Sequence, residues 1–146
     1  MSGQFNKHGI QFLYPENWSL TADEDWDLPY AVHLESPDGA MLSLFFLDAA
    51  HNNDDFLKEM LVSIEEQYET PEVSPGVTTL NNVPGSGVDA NFYCLDFLVT
   101  TQIRIFECGD LKLASYCQAE NRTFDKTKLV FDAVITSVLQ GLAQRA

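Results

Sequence analysis

Short alternating apolar segments, separated by turn chemistry and interrupted by only two helical stretches, constrain this chain more than any other feature. Tyr30–Glu35 places Tyr30, Val32 and Leu34 on one face and stops at Ser36-Pro-Asp-Gly39. Proline followed by Asp-Gly supplies a preset φ and a left-handed position, so Ala40–Asp48 should return antiparallel to it. Further on, Gly109-Asp110 predicts a two-residue hairpin between Leu98–Cys108 and Leu111–Ala119. With those two residues central, Cys108 pairs with Leu111 and Glu107 lies opposite Lys112, an opposite-charge pair that supports the register.

The other segments read in the same way. Gly9–Tyr14 is an apolar strand ended by Pro15, and Trp18–Ala22 alternates after the Pro-Glu-Asn turn, so the two suggest a hairpin-like start. Val77–Val83 reads as a short strand or irregular crossing, and Pro84-Gly-Ser-Gly87 separates it from a strand at Val88–Leu95.

The pattern switches to helical spacing twice. Asn52, Asn53, Asp54 and Asp55 offer capping groups, after which Phe56, Leu57, Met60, Leu61, Ile64 and Tyr68 recur at three- and four-residue steps. Pro71 and Pro75-Gly76 are expected to end that helix. After Asn121-Arg-Thr123, the residues Leu129, Val130, Phe131, Val134, Ile135, Val138 and Leu142 mark a second helix with a wide buried face, and Gly141 suggests its fraying end. About seven strands and two helices, with hairpins and no βαβ rhythm, argue an α+β domain built on an antiparallel sheet covered by helices. At 146 residues with no linker, residues 1–146 form a single domain.

Charge narrows the partners. Residues 1–72 carry 15 acidic and 2 basic side chains, whereas residues 73–146 carry 7 and 6, and the whole chain is at −14. Such a chain repels a phosphate backbone and an anionic membrane surface, so neither nucleic acid nor membrane is expected as a partner. A basic protein surface or a cation is what the field favours, and the expected partner is a protein with a basic or partly apolar surface. The charge also serves solubility. The opening residues hold no apolar targeting stretch, which points to the cytoplasm.

No catalytic or cofactor motif emerges. Cys94, Cys108 and Cys117 are odd in number, lack C-x-x-C spacing and fall in strands, so they read as core thiols. His33 lies on the strand face opposite Val32 and Leu34, as a satisfied or solvent-facing histidine. His51-Asn-Asn-Asp54-Asp55 is explained by helix capping without a metal. Trp18, just after a proline turn, reads as a core plug. The polar cluster that stands out is Asp23, Glu24, Asp25, Trp26 and Asp27, an aromatic among carboxylates suited to contact with a basic partner. The same five residues also read as a solvated loop with Trp26 tucked onto the sheet edge.

His8-Gly-Ile-Gln-Phe-Leu-Tyr-Pro-Glu-Asn-Trp18 resembles the opening of the PsbP-like superfamily, in which a strand leads to a Tyr-Pro-x-x-Trp turn and a second strand. Phe131-x-x-Val134-x-x-Ser137-Val-Leu is similar to that family's closing helix. The resemblance implies an α/β/α sandwich, an antiparallel sheet of six or seven strands with helices on both faces. The superfamily spans extrinsic subunits of photosystem II, a nuclear import factor that binds the Ran GTPase, and bacterial chaperones for secreted effectors. Those members bind other proteins, and no site residue carries over to this chain.

The expectation is therefore a non-enzymatic adaptor or chaperone-like domain without cofactor, acting through its acidic surface as a monomer or weak homodimer. The alternatives are a small-molecule or metal-binding domain with a cleft between sheet and helices, possibly a modest enzyme, and a homodimer paired through an exposed sheet edge.

Overall fold

A computed structural model describes residues 2–68 and 70–145. Nine strands and two helices follow in the order β1 (Ser2–Lys7), β2 (Ile10–Pro15), β3 (Ser19–Ala22), β4 (Tyr30–Glu35), β5 (Met41–Asp48), α1 (Asn53–Gln67), β6 (Glu72–Leu80), β7 (Val83–Cys94), β8 (Phe97–Cys108), β9 (Leu111–Glu120) and α2 (Asn121–Ala143). Two antiparallel meanders, β3–β5 and β6–β9, join side by side at β5 and β9 into a seven-stranded sheet ordered β3-β4-β5-β9-β8-β7-β6. The α1 connection carries the chain from mid-sheet to the far edge. Strands β1 and β2 form a separate hairpin.

Strand alternation decides which helix covers which face. Leu42, Leu44 and Phe46 of β5 share a core with Phe106, Leu113, Val32 and the buried residues of α2, and Phe5, Ile10 and Phe12 of the small hairpin complete it. Leu47, Ile103, Ile105 and Ala114 point the other way, towards Phe56 of α1, and Ala90 and Phe92 meet Ile64. The result is a three-layer sandwich with one helix on each face. Seven large apolar side chains of α2 are buried, from Phe124 to Leu142, against Phe56 and Ile64 in α1. At about 1.5–3 kcal/mol for each fully buried side chain, α2 is the more firmly docked layer by a wide margin.

Several expectations hold in detail. Cys108 pairs with Leu111 and Glu107 with Lys112, and the β4–β5 hairpin turns at the tetrapeptide beginning with Ser36. Asn52 caps α1, its side chain accepting from Asp55 N at 3.0 Å. Lys112 Nζ reaches that helix start, donating to His51 O at 2.6 Å and Asn53 Oδ1 at 2.7 Å. Trp18 is buried edge-on against Phe131.

Others are corrected. β2 pairs with β1 and β3 with β4, so Gly9–Tyr14 and Trp18–Ala22 are not partners. The polar stretch Ser2–Lys7 finds its ladder across a His8-Gly9 turn, where both residues have positive φ. Pro75-Gly76 and Pro84-Gly-Ser-Gly87 lie inside strands rather than ending elements. β6 is an edge, where a proline costs no ladder bond on its open side. Gly85 and Gly87 leave room for Phe106 and for the β8 backbone, where any Cβ would collide. The turn between β6 and β7 is Asn81-Asn82, both left-handed. Helix α2 starts directly after β9, so that Asn121-Arg-Thr123 belong to it rather than precede it, with Glu120 as its cap. Gly141 is no fraying end. A Cβ there would lie 2.1 Å from Gln11 O, so it marks the closest approach of α2 to β2.

Among the described residues, no helix is long and apolar enough to cross a membrane.

Candidate functional site

The acidic loop between β3 and β4 is ordered by its own backbone. Asp23 N donates to Ala31 O at 3.0 Å, and Asp23 Oδ2 accepts from Ala31 N at 3.0 Å, closing the loop base. Trp26 is half-buried, its ring centred 4.9 Å from Tyr30, 5.6 Å from His8 and 6.3 Å from Phe46. The structure therefore brings the five expected residues together, but gives them different tasks. Asp23 fastens the loop and Trp26 leans into the core, while Glu24, Asp25 and Asp27 stand exposed. Burial of the Tyr30 hydroxyl, with Asp23 nearby, raises its pKa above the usual 10.0.

A second surface was not anticipated from the sequence. β9 ladders with β8 as far as Val99 opposite Glu120, and β6 ladders with β7 as far as Glu72 opposite Asn91. The β7–β8 tip, from Phe92 to Leu98, therefore extends beyond both neighbouring strands. Its turn holds Leu95 at φ 57°, a left-handed position that asparagine or glycine usually fills. Leu95 is 89% exposed, Tyr93 67% and Phe97 54%. Phe97, laddered opposite Cys94, and Tyr93, laddered opposite Leu98, lie on opposite faces of the ribbon, with Leu95 at its turn.

Between this tip and the first turns of α2 runs an open groove of about 580 Å³, with Leu95, Phe97 and Val99 on one side and Arg122, Thr123 and Lys126 on the other. Glu120 also borders it, but its carboxylate is engaged as the helix cap. Its Oε2 accepts from Arg122 N at 3.1 Å and Thr123 N at 3.3 Å. The Arg122 side chain is largely exposed, with Nε 3.5 Å from Glu120 Oε1, and Lys126 has no ion pair among the described residues. In contrast, Arg104 and Lys112 are buried and paired with Asp89 at 2.7 Å and Glu107 at 3.6 Å. The sequence signal for this site was Leu95-Asp96, an apolar residue where a hairpin turn ordinarily places a polar one or glycine.

The titratable groups elsewhere are dispersed. His33 is exposed with Nδ1 2.7 Å from Ser43 Oγ, a satisfied strand histidine as its alternation implied. Among the described residues, no three His, Cys, Asp or Glu side chains gather where they could hold a metal ion.

The expectation of three core thiols is corrected: Cys117 alone is buried, while Cys94 and Cys108 are half-buried near strand ends. Burial pushes the Cys117 thiol up to about 12 and also raises that of Cys108. A thiol-labelling reagent applied to the native protein should modify Cys94 ahead of Cys117, which should react only on unfolding; simultaneous labelling would contradict this burial. Because the folded-state pKa of Cys117 lies above its ordinary value of 9.0, its contribution to stability is complete below that pH. It is lost as pH rises towards the folded value. The melting temperature should fall over that alkaline range, and Cys117→Val should make the fall shallower.

No family model matches the chain, and no curated protein matches it. Solved structures do. The cyanobacterial PsbP protein CyanoP from Synechocystis sp. PCC 6803 superposes with a TM-score of 0.61 at 14% identity, covering 94% of this chain and 89% of that one. LpqN of Mycobacterium tuberculosis, a protein involved in cell envelope biogenesis, superposes with a TM-score of 0.50 at 13% identity, covering 94% of this chain and 87% of that one. At such identities the likeness is one of fold. The chain has the PsbP-like α+β fold that its opening and closing motifs resembled.

Proposed function

We propose that this PsbP-like domain works by binding a partner protein, without chemistry of its own, and that its acidic first half makes the contact. The observation that supports this reading is the build of the β3–β4 loop. The Trp26 ring, clamped among Tyr30, His8 and Phe46, holds Glu24, Asp25 and Asp27 outward on a fixed backbone. A loop already ordered in the free protein loses little conformational freedom when a partner docks. The surrounding field of a −14 chain speeds encounter with a basic surface and disfavours acidic ones.

Capture from a native lysate should retain a stoichiometric basic partner at low salt and release it at high salt. Changing Asp23, Glu24, Asp25 and Asp27 together to lysine should reduce that capture by at least about tenfold, since each 1.4 kcal/mol lost is one such factor. Undiminished binding by this variant would remove the loop from the contact.

A second reading is favoured by the groove beside α2, whose volume lies within the range of small-molecule sites. Thermal-shift screening with metabolites would support it by a specific stabilisation that disappears in Lys126→Glu.

A further inference from the structure

The two edges of the seven-stranded sheet differ in length and in charge. β3 is four residues long and leads into the carboxylates of the β3–β4 loop, whereas β6 runs nine residues at the opposite end. A chain of which 21% is charged leaves sixteen successive residues, Val73 to Val88, without a charge. They make up all of β6 but its first residue, the turn and the first half of β7. We propose that β6 pairs with β6 of a second copy of this chain, antiparallel about a two-fold axis at Thr78, joining two sheets into one.

Backbone geometry gives the register. Leu80 and Val83 close the left-handed Asn81-Asn82 turn, so they exchange both ladder bonds. Bonded and non-bonded pairs alternate along an antiparallel ladder. Gly76 and Thr78 therefore turn their N–H and C=O groups towards β7, while Val73, Pro75, Val77 and Thr79 turn theirs to the open side. Pro75 opposite Val88 and Pro84 opposite Thr79 both fit this alternation, since neither stands at a bonded pair of the hairpin. A proline is confined to edges and cannot sit within a covered ladder, so Pro75 must fall outside the paired segment. An axis at Thr78 meets that condition. Val77 then lies opposite Thr79 of the other copy, and these residues exchange four N–H···O bonds.

The missing charge selects the occupant. Sheet edges are guarded against pairing by charged side chains or by proline. Pro75 guards the first half of β6, and no charge guards Val77 to Thr79, where the β-branched Val77 is 75% exposed. A basic partner would be served by carboxylates along such an edge. For a second copy of a chain at −14, each of those carboxylates would face its own like. Glu72 is the charge on β6, and it lies about 20 Å from the axis at about 3.4 Å per residue, beyond a screening length of about 8 Å. Asp89 of β7 is paired with Arg104. So short a contact makes a weak dimer. It leaves both β3–β4 loops free at the far ends of the doubled sheet.

Sedimentation equilibrium of the full chain, from micromolar to millimolar concentration, tests the proposal. The mean mass should rise from that of one chain towards that of two, and more readily at high salt, which screens the repulsion between acidic copies. Val77→Lys and Thr79→Asp should each weaken the dimer about fivefold, since each sets like charges diagonally across the axis. Combining the two should recover most of that loss, because the new lysine of one copy faces the new aspartate of the other. Both side chains are exposed, and an unchanged melting temperature verifies that each variant is folded.

The mass of one chain at every concentration would overturn the proposal and leave the edge to a strand of another protein. Association unchanged in all three variants would place the contact elsewhere, and a double variant as weak as the single ones would refute the register; either result overturns it. A basic partner on the β3–β4 loop is released by salt, whereas this dimer is strengthened by it, so failure of one contact is distinguished from failure of the other.

Discussion

Gly141→Ala should destabilise the protein, although alanine is the better helix former. In an unpacked helix the change would gain about 1 kcal/mol. Here the new methyl would lie 2.1 Å from Gln11 O, a backbone atom that cannot rotate away. Gln11 is laddered to Asn6, so relief requires moving the whole β1–β2 hairpin. That movement would pull Leu13 N from Ser137 Oγ, now 2.8 Å apart, and loosen Ile10 and Phe12 in the core. Overpacking of this kind costs about 1–3 kcal/mol, and the steric term should prevail here by about 2 kcal/mol because the obstacle is backbone. The melting temperature should drop by about 4–8 °C for that net loss. A rise instead would mean that the hairpin is not seated on α2 as described.

The second large effect belongs to Arg104. Its guanidinium lies almost buried at the β6–β7–β8 side of the sheet, 2.7 Å from Asp89, with Nε donating to Thr78 Oγ1 at 2.9 Å and Nη1 to Val88 O at 3.2 Å. Gly76 and Gly87 make room for it, since a Cβ at Gly76 would overlap the guanidinium and one at Gly87 the adjoining β8 backbone. Arg104→Met would remove the charge and leave Asp89 with its partner gone. Removing one member of a buried pair costs about 3–5 kcal/mol, and partial exposure of Asp89 places this case near the lower end. Chemical denaturation should show that loss, and adding Asp89→Leu should recover part of it. If the double variant were no better than the single one, Arg104 would act through Thr78 and the strand carbonyls rather than through Asp89.

What could be read in the sequence were the elements whose signals are local. Asp-Gly chemistry at Ser36–Gly39, the Gly109-Asp110 turn and the periodicity of α2 each depend on neighbours within a few residues. Strand β1 depended on pairing with Ile10–Pro15, and its one core-facing side chain, Phe5, is too little to show an alternation. The prolines and glycines of β6 and β7 looked like breaks because their purpose is set by contacts across the sheet, with Phe106 and Arg104. Asn81-Asn82 and His8-Gly9 form left-handed turns without the Asp-Gly chemistry that marks Ser36–Gly39. At the candidate sites, the acidic loop was visible as a charge run. The groove required knowing that the β7–β8 tip and the start of α2, which are distant in sequence, are neighbours in space.

The overhang of that tip also has a mechanical meaning. One wall of the groove is the first turn of α2, joined to the mid-sheet strand β9 without an intervening residue, and it behaves as a fixed post. The facing wall is a two-stranded ribbon that no neighbouring strand flanks beyond Val99 and Asn91, and its base is tied to α1, where Phe92 is buried and its ring stacks on Tyr68 at 4.3 Å. Bending such a ribbon breaks no hydrogen bond to the rest of the sheet. The width of the groove is thus set on one side by the helix that follows β9 directly and on the other by the seat of Phe92 against α1, with Tyr93 to Leu98 projecting past the last flanking strand.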